Sequence, residues 1–392
     1  MNWTSFYPEF ANNANNELHK CISDSNLSSA TLEWISSNAL PPARSPTPTS
    51  EGKHLMRSIV VLAGGVGGAK FTQGLLNYLK TGFHPEPPAD QPPRVTVIAN
   101  TGDDMWLNGL RVCPDLDTVM YTLGGGISQE QGWGRANETR RTSAEISAYG
   151  RGWDWFTLGD LDLGTHIVRT DMLREGTTLT EVTEFLCRRW QPGVELLPMS
   201  DEPVETHVRL VEDIDEHRAG DLIHFEEWWV RYRAGIRATE FVQVGADEAR
   251  PTGRVLEALE TADLILLPPS NPVVSIGTIL GVPGMREAVR DARAPIIGIS
   301  PIIGGSAVRG MADQCLATIG VESTAAAVAL HYGARTEGGL LDGWLVDTSD
   351  ADAVDDLDAA KITTKAVPLW MTDVTASAAM AHEALELAND PT

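Results

Sequence analysis

The sequence has few cysteines and few basic residues, and both shortages exclude classes of protein. Cysteine occurs only at Cys21, Cys113, Cys187 and Cys315, with no CxxC pair, so a zinc ribbon is unsupported and reduced thiols are expected. Lysine and arginine total 30 against 54 aspartates and glutamates, which gives a net charge of -24. A broad basic surface for nucleic acid or an anionic membrane is therefore not expected.

A long uninterrupted apolar run is also missing. The longest apolar region, residues 264–284, contains Pro268, Pro269, Pro272 and Pro283, which favours a strand–loop–helix unit over a membrane span. No stretch resembles a signal peptide, so a cytoplasmic location is expected. With 42% hydrophobic and 21% charged residues, the 392-residue chain is typical of a globular protein.

Alternating strand and helix patterns predict the fold class. The fully apolar runs SIVVLA and RVTVIA, and later LILL and IIGI, have the length of buried parallel strands. Helical patterns lie between them, including FTQGLLNYL, LDTVMYTL ending at Gly124, and ESTAAAVALHY ending at Gly333. AVPLWM is predicted as a last strand, before a helix capped by Thr372 or Asp373. This pattern predicts an α/β protein with a doubly wound, Rossmann-like, mostly parallel sheet.

Composition divides the chain into four parts. Residues 1–55 are rich in Asn and Ser and end in a Pro/Ser/Thr linker, which predicts a poorly ordered N-terminal tail. Residues 56–125 and 246–392 carry the strand–helix alternation and are predicted to form one Rossmann-like domain. Residues 126–245 mix helical and strand patterns, which predicts an inserted α+β subdomain that covers the ligand edge of the sheet.

A glycine-rich loop follows the first predicted strand. Its sequence is AGGVGGAK, with Gly64, Gly65, Gly67, Gly68 and Lys70. It matches neither a Walker A loop nor GxGxxG, because alanine or lysine stands where each motif needs a glycine. Glycines let a backbone approach a phosphate, and the following helix offers unpaired N–H groups. The alternative is a tight, closely packed strand–helix turn.

Carboxylates follow the second predicted strand. Asp103 and Asp104 are adjacent in the sequence NTGDD, which begins at Asn100. Keeping both side chains charged costs free energy unless they are solvated, paired or bound to a metal. Mg²⁺ takes one or two carboxylates together with phosphate oxygens and water. Asp115 and Asp117 come at the start of the next predicted helix, where at least one of them is expected to act as an N-cap.

Two further polar loops follow later strands. PPSNPVVSIG offers Ser270 and Asn271 to a base, ribose or phosphate, although an asparagine-capped turn is an equal alternative. SPIIGGSAVRG offers Gly304, Gly305 and Arg309 to a second anion. Since ligands of open α/β sheets bind beyond the carboxyl ends of the strands, we expect all four loops to form one cleft.

Other chemistry-bearing residues are sparse. His166 has no neighbouring Cys or His in the sequence that suggests a triad or a metal cluster, so a structural role is favoured. Trp228 is expected in the core. Trp106 and Trp133 lie in glycine-rich loops and are candidates to stack on a flat ring.

The order of these motifs resembles one family. The run VVLAGGVGGAK, VIANTGDDMWLNGLRVCPDLDTVMYTLGG, WFTLGDLDLGTHIVRT, HFEEWWV, PPSNPVVSIGTIL and ISPIIGGSAVRGMAD is similar to the 2-phospho-L-lactate transferases of coenzyme F-420 biosynthesis, in their actinobacterial phosphoenolpyruvate transferase form. The resemblance implies Mg²⁺ as cofactor and a homodimer. It also implies that the ribityl hydroxyl of the deazaflavin Fo attacks a guanosine diphosphate-linked donor. The donor carries phosphoenolpyruvate or phospholactate, GMP leaves, and dehydro-F-420-0 or F-420-0 forms.

The resemblance also assigns site residues. Asp104 and Asp103 would be catalytic and would bind the metal, with Asp117 as a further metal candidate. The remaining positions would hold the substrates, the guanosine diphosphate part above all: Gly64, Gly65, Gly67, Gly68, Lys70, Asn100, Thr101, Ser270, Asn271, Gly304, Gly305 and Arg309. Relatives often read LGDRDLATHI, where this chain has Leu161 and Gly164, so an arginine contact there is in doubt.

Two other hypotheses for the function are each supported by part of the sequence. A non-enzymatic nucleotide-sugar-binding regulator, resembling gluconeogenesis factors, shares the glycine loop and the Asp-Asp pair. Those proteins typically continue with GGSSG, whereas this chain has MWLNG. An NAD-type oxidoreductase needs a true GxGxxG with an acidic residue about 20 positions further on, and the third glycine is missing.

Overall fold

The computed structural model describes residues 56–81, 93–308 and 311–389. The predicted tail 1–55 and Arg309 lie outside these ranges. The strands are β1 Ser58–Ala63, β2 Arg94–Ala99, β3 Met105–Leu107, β4 Leu110–Val112, β5 Glu195–Pro198, β6 Glu205–Leu210, β7 Leu222–His224, β8 Ala238–Val244, β9 Leu264–Leu267, β10 Ile296–Ile299, β11 Ile302–Ile303, β12 Ser306–Ala307, β13 Gly343–Val346 and β14 Thr363–Ala366. The α-helices are α1 Val66–Thr81, α2 Pro114–Leu123, α3 Arg141–Ala148, α4 Asp160–Arg174, α5 Leu179–Trp190, α6 Gly253–Glu260, α7 Ile276–Gly281, α8 Met285–Arg290, α9 Ala312–Thr318, α10 Ala325–Tyr332, α11 Val354–Ala359 and α12 Val374–Asn389.

A seven-stranded sheet organises the molecule, in the order β14-β13-β10-β9-β1-β2-β5. Every neighbouring pair in it is parallel. The chain starts at β1 in the middle, runs outward to β5, and returns to β9 on the other side of β1. This is the doubly wound Rossmann-type strand order, so the predicted fold class is confirmed.

Helices cover both faces of this sheet. One apolar core joins side chains such as Val60 and Ile265 to α6, α7 and α10. A second core joins Ile59 and Val97, on the opposite face, to α1, α2, α5 and α12. Since successive side chains of a strand point to opposite faces, a strand buried on both sides must be apolar throughout, as SIVVLA is.

The segment 126–245 is only partly separate from the main sheet. Its strands β7, β6 and β8 form an antiparallel sheet in that order, as the alternating patterns indicated. Strand β5, however, pairs with β2 at the edge of the central sheet. The predicted insertion therefore contributes an edge strand to the Rossmann-like sheet as well as a small sheet beside it.

Some local expectations were wrong. The last strand is Thr363–Ala366 and not AVPLWM, because the proline at 368 lacks the N–H that a ladder needs. Neither Asp115 nor Asp117 caps α2, since Cys113 stands at that position. Asp373 does cap α12, by accepting from the N–H of Ala376 at 2.8 Å. Within the described residues, no helix combines the length and apolarity needed to cross a membrane.

Candidate active site

Two of the predicted loops meet at the centre of the sheet. The glycine loop follows β1, and the loop with Ser270 follows β9, the strand beside it. The N–H of Gly64 donates to the Ser270 hydroxyl at 3.3 Å, and both groups are buried. The strand order reverses between β1 and β9, and ligands of such sheets bind in the crevice at this switch point.

The glycines of the first loop allow close packing. A Cβ on Gly65 would lie 2.5 Å from Asp115 Oδ1, and one on Gly67 would overlap the carbonyl oxygen of Pro269. The tight strand–helix turn is therefore present. It also leaves the N-terminus of α1 at the carboxyl edge of the sheet, where helix N–H groups favour an anion. Lys70 lies half-buried in the second turn of that helix.

The side chain of Asn100 connects three elements near this crevice by hydrogen bonds. Its amide donates to Asp115 Oδ2 at 2.9 Å and to the carbonyl of Val274 at 3.3 Å, and its Oδ1 accepts from the N–H of Gly102 at 2.9 Å. The buried side chain of Asn100 thus ties the NTGDD loop to α2 and to the loop after β9. These hydrogen bonds hold the three elements that surround the site in position.

A cluster of four carboxyl groups lies beside this tie, and we call it the carboxylate cluster: Asp103, Asp104, Asp115 and Glu226. All four are buried. Burial raises the pKa of Asp104 to about 7, of Asp115 to about 6 and of Glu226 to about 8. Burial also raises the pKa of Asp103, and the charges of the other three carboxylates raise it further.

Several oxygens of the cluster lack a hydrogen-bond donor. These are Oδ1 of Asp103 and both carboxylate oxygens of Asp104. Buried carboxylates are costly without a partner, and hard divalent cations such as Mg²⁺ prefer carboxylate oxygens. Asp103 and Asp104 therefore offer oxygens of the kind that Mg²⁺ binds, although among the described residues they do not form a group of three whose ligand atoms all lie within 4.8 Å of one another. Asp115 also accepts from the N–H of Gly65, at the start of α1, so a phosphate at this helix end would need a cation between itself and Asp115.

Arg111 is a cation that reaches the cluster. Arg111 Nη2 lies 3.5 Å from Asp104 Oδ2, and its Nη1 donates to Glu205 Oε1 at 2.8 Å. His224 Nε2 lies 3.3 Å from the carbonyl oxygen of Asp104, and burial lowers the pKa of His224 to about 4. The small antiparallel sheet thus supplies Glu205 and His224 to the wall of the site.

The residues after NTGDD form a β-hairpin, which the sequence analysis treated as a loop. Strands β3 and β4 pair in antiparallel fashion around Asn108 and Gly109. Both turn residues have positive φ, 52° and 77°, which is the requirement of a type I′ turn and the usual reason for an Asn-Gly pair. That dipeptide was the signal that the sequence analysis missed.

Asp117 does not join the carboxylate cluster. Its Oδ2 accepts from Arg169 Nη1 at 3.0 Å, and its Oδ1 pairs with Nη2 of the same guanidinium. His166 Nδ1 lies 3.6 Å from Asp117 Oδ2, and His166 Nε2 lies 3.3 Å from Asp162 Oδ2. The structure places Asp117 and His166 in a buried ion-pair network. The ligand atoms of Asp117, Asp162 and His166 also lie within 4.8 Å of one another, so this group could hold a metal ion.

Of the remaining residues predicted to bind substrate, one lies beside the carboxylate cluster and others make structural hydrogen bonds. Thr101 is buried beside the cluster, with no hydrogen bond from its hydroxyl. Asn271 Oδ1 accepts from the N–H of Val273 at 2.9 Å, which is the asparagine-capped turn. Gly304 and Gly305 lie exposed at the tip of the β11–β12 hairpin, where the N–H of Gly304 donates to Asp350 Oδ2 at 2.9 Å, in a 3-10 helix after β13.

Sequence reasoning overlooked two residues of the cluster. Asp115 was treated as a helix cap, although it faces the glycine loop and Asn100. Glu226 lies in the HFEEWWV motif but was given no role. Since Glu226 belongs to the small antiparallel sheet region and Asp115 to α2, only the tertiary fold brings them together.

Known proteins resemble this chain over nearly all of the described part. A family model described as 2-phospho-L-lactate transferase CofD matches residues 59–385. A phosphoenolpyruvate transferase of Streptomyces griseus is 61% identical over 332 residues, which are 85% of this chain and 98% of that protein. A phosphoenolpyruvate transferase of Thermobifida fusca is 58% identical over 330 residues, 84% of this chain and 97% of that protein.

A solved structure resembles the fold. A UPF0052 family protein from Bacillus halodurans superposes with a TM-score of 0.53 at 18% identity, covering 84% of this chain and 99% of that one. This similarity concerns the fold alone. Together with the family model and the close relatives, the motifs lead to one conclusion: the chain belongs to the 2-phospho-L-lactate transferase family CofD.

Proposed function

We propose that this transferase moves a phosphoenolpyruvyl group from a guanosine diphosphate-linked donor to the ribityl hydroxyl of the deazaflavin Fo. GMP is the leaving group and dehydro-F-420-0 the product. The observation that carries the proposal is the carboxylate cluster, in which Asp103 Oδ1 and both oxygens of Asp104 accept no hydrogen bond and Asp115 contacts Gly65 beside the N-terminus of α1. A divalent cation placed there would neutralise negative charge of both the carboxylates and a bound diphosphate.

The residues of the cluster divide the work. Asp103, Asp104 and Asp115 supply carboxylate oxygens for Mg²⁺. When bound, Mg²⁺ neutralises the charge that spreads over the phosphoryl oxygens during transfer. The glycine loop and Ser270 seat the diphosphate, because the backbone there approaches the crevice closely. No covalent nucleophile of the protein is needed, since positioning and charge neutralisation account for most catalysis of phosphoryl transfer.

The transfer balances without a further reactant. The hydroxyl oxygen of the acceptor forms a bond to the phosphorus that carries the three-carbon acid, and the bond from that phosphorus to GMP breaks. The hydroxyl proton passes to a carboxylate near the site. Glu226, the member of the cluster that is not assigned to Mg²⁺, has a pKa of about 8, which suits a proton acceptor that works near neutral pH.

Phosphoenolpyruvate is favoured over phospholactate as the transferred acid. The support is that relatives at 61% and 59% identity, both from Streptomyces, are named phosphoenolpyruvate transferases. The family description, by contrast, names 2-phospho-L-lactate. Homodimer assembly and cytoplasmic location stay predictions from the sequence.

Product mass tests this proposal. Purified protein, Fo and Mg²⁺ are incubated with the phosphoenolpyruvate-linked donor or with the phospholactate-linked donor. The expected result is the dehydro product and GMP from the first donor at a clearly higher rate. Preference for the second donor would reverse the choice of acid, and no product from either donor would contradict the proposed reaction.

A further inference from the structure

Trp106 is an exposed aromatic residue beside a buried site. Its side chain is 50% exposed, whereas Met105 and Leu107 on either side are 2% and 4% exposed. Single exposed apolar side chains are common on protein surfaces, so the neighbours of Trp106 decide what its exposure means. Trp106 therefore lies outside the apolar core that its two neighbours enter.

The hairpin that carries Trp106 is firmly held. Met105 and Leu107 pack into an apolar cluster with Leu158 and Leu163 of the neighbouring segment. Arg174 Nη2 donates to the turn carbonyl of Gly109 at 3.0 Å. A residue on such a support keeps its position before a ligand arrives, which lowers the cost of binding.

The indole lies on the side of the hairpin that faces the carboxylate cluster. Trp106 and Arg111 are cross-strand partners, and the Arg111 guanidinium carbon lies 5.9 Å from the centroid of the indole. The same guanidinium lies 3.5 Å from Asp104 Oδ2. One arginine thus separates an exposed ring from a buried carboxylate of the site.

We propose that the indole of Trp106 is the stacking platform for the planar ring system of the acceptor. This inference rests on the proposed function, in which the acceptor carries a flat heteroaromatic ring on a ribityl chain. The reacting hydroxyl must approach the carboxylate cluster, and the chain then places the ring outside it. An exposed aromatic side chain near Asp104 would stabilise the acceptor ring in that position, and Trp106 is such a side chain.

Binding measurements on the full chain test this assignment. The dissociation constants of Fo and of GDP with Mg²⁺ are measured by calorimetry for the wild type, Trp106→Ala, Trp106→Phe and Trp133→Ala. Trp133 is a matched control, because it is 54% exposed and lies outside the contacts described for the cluster. Loss of one stacked ring is expected to weaken Fo binding by about five- to 100-fold in Trp106→Ala. Trp106→Phe keeps a ring and should weaken it much less.

The outcomes separate the two proposals. Binding of GDP should stay within about twofold of wild type in every variant, since stacking concerns the acceptor alone. If Trp106→Ala binds Fo as tightly as the wild type, the stacking assignment is wrong and the proposed function stands. If the wild type itself binds no Fo, both are overturned. The melting temperature of each variant shows that a change in binding does not come from unfolding.

Discussion

At the scale of single residues, Asp103 and Asp117 are two buried carboxylates with opposite surroundings. Asp117 is neutralised by the guanidinium of Arg169, whereas Asp103 faces other carboxylates and keeps one oxygen without a donor. Removing one partner of a buried ion pair is destabilising because the other charge stays buried, whereas a buried charge without a partner is itself costly. The two residues therefore predict opposite effects of the same substitution.

Asp117→Asn is expected to lower the free energy of unfolding by about 3–5 kcal/mol, because Arg169 would remain buried without its counter-charge. Asp103→Asn is the matched control, and its free energy of unfolding should be unchanged or higher. Urea unfolding followed by circular dichroism measures both values. Equal destabilisation in the two variants would show that Asp103 is also a structural residue.

The choice between Asp115 and Asp117 illustrates a limit of sequence reasoning. Both lie in the first turn of α2, and their side chains point about 200° apart around the helix axis. The sequence placed both near the ligand edge of the sheet. Only the orientation of α2 against the glycine loop decides that Asp115 faces the site and Asp117 faces Arg169.

At the scale of elements, the contact between the glycine loop and α2 determines where Asp115 lies. Gly65→Ala would put a methyl group against the Asp115 carboxylate, which must then move. We expect transferase activity to fall by at least about tenfold with the fold retained, since small displacements of catalytic groups are expensive. Steady-state kinetics and circular dichroism measure the two effects.

Gly164→Ala is the control for this change. It lies within α4, and a Cβ there would have no neighbour within 4 Å. Alanine in a helix interior is more stable than glycine by roughly 0.5–1 kcal/mol, so this variant should be slightly more stable and fully active. Loss of activity in Gly164→Ala, or full activity in Gly65→Ala, would argue against the role given to the loop.

Elements with one strong signal were predicted well from the sequence. SIVVLA and RVTVIA are apolar throughout and coincide with β1 and β2. The prediction of AVPLWM as a strand was wrong, because its apolar composition was given more weight than its proline. GWLV was overlooked as a strand, although it forms β13 between β10 and β14. Its partners are distant in sequence, so its local pattern gave too little information.

At the scale of the whole molecule, the carboxylate cluster links stability to pH. In the native state burial raises the pKa values of Asp104, Asp115 and Glu226 to about 7, about 6 and about 8, above the ordinary values of these carboxyl groups. The native state therefore holds more protons than the unfolded state between about pH 4 and pH 8. The free energy of unfolding should fall as pH rises through this window.

Magnesium should reverse this loss. Mg²⁺ binds the deprotonated carboxylates of the native state, so it should raise the melting temperature by several degrees at pH 8 and by much less at pH 5. Thermal scans with EDTA or with excess Mg²⁺ at both pH values measure the difference. An equal shift at the two pH values would mean that Mg²⁺ acts elsewhere.

The general architecture was predictable because strand–helix alternation and polar loops at strand ends are local features. The sequence could not show that β5 completes the central sheet while its neighbours in the chain form a separate one. It also could not show that Glu205, His224 and Glu226, from that second region, contribute to the wall of the site. These contacts depend on how the two sheets are placed relative to each other.

The most direct test of the account is the binding of Mg²⁺ in the presence of GDP, measured by calorimetry on the wild type and on Asp103→Asn. The account predicts a tight Mg²⁺ site in the wild type, weakened by at least about tenfold in the variant. The melting temperature in EDTA should be unchanged or higher in Asp103→Asn. Equal affinity for Mg²⁺ in the two proteins would contradict the claim that the buried carboxylates hold the cation.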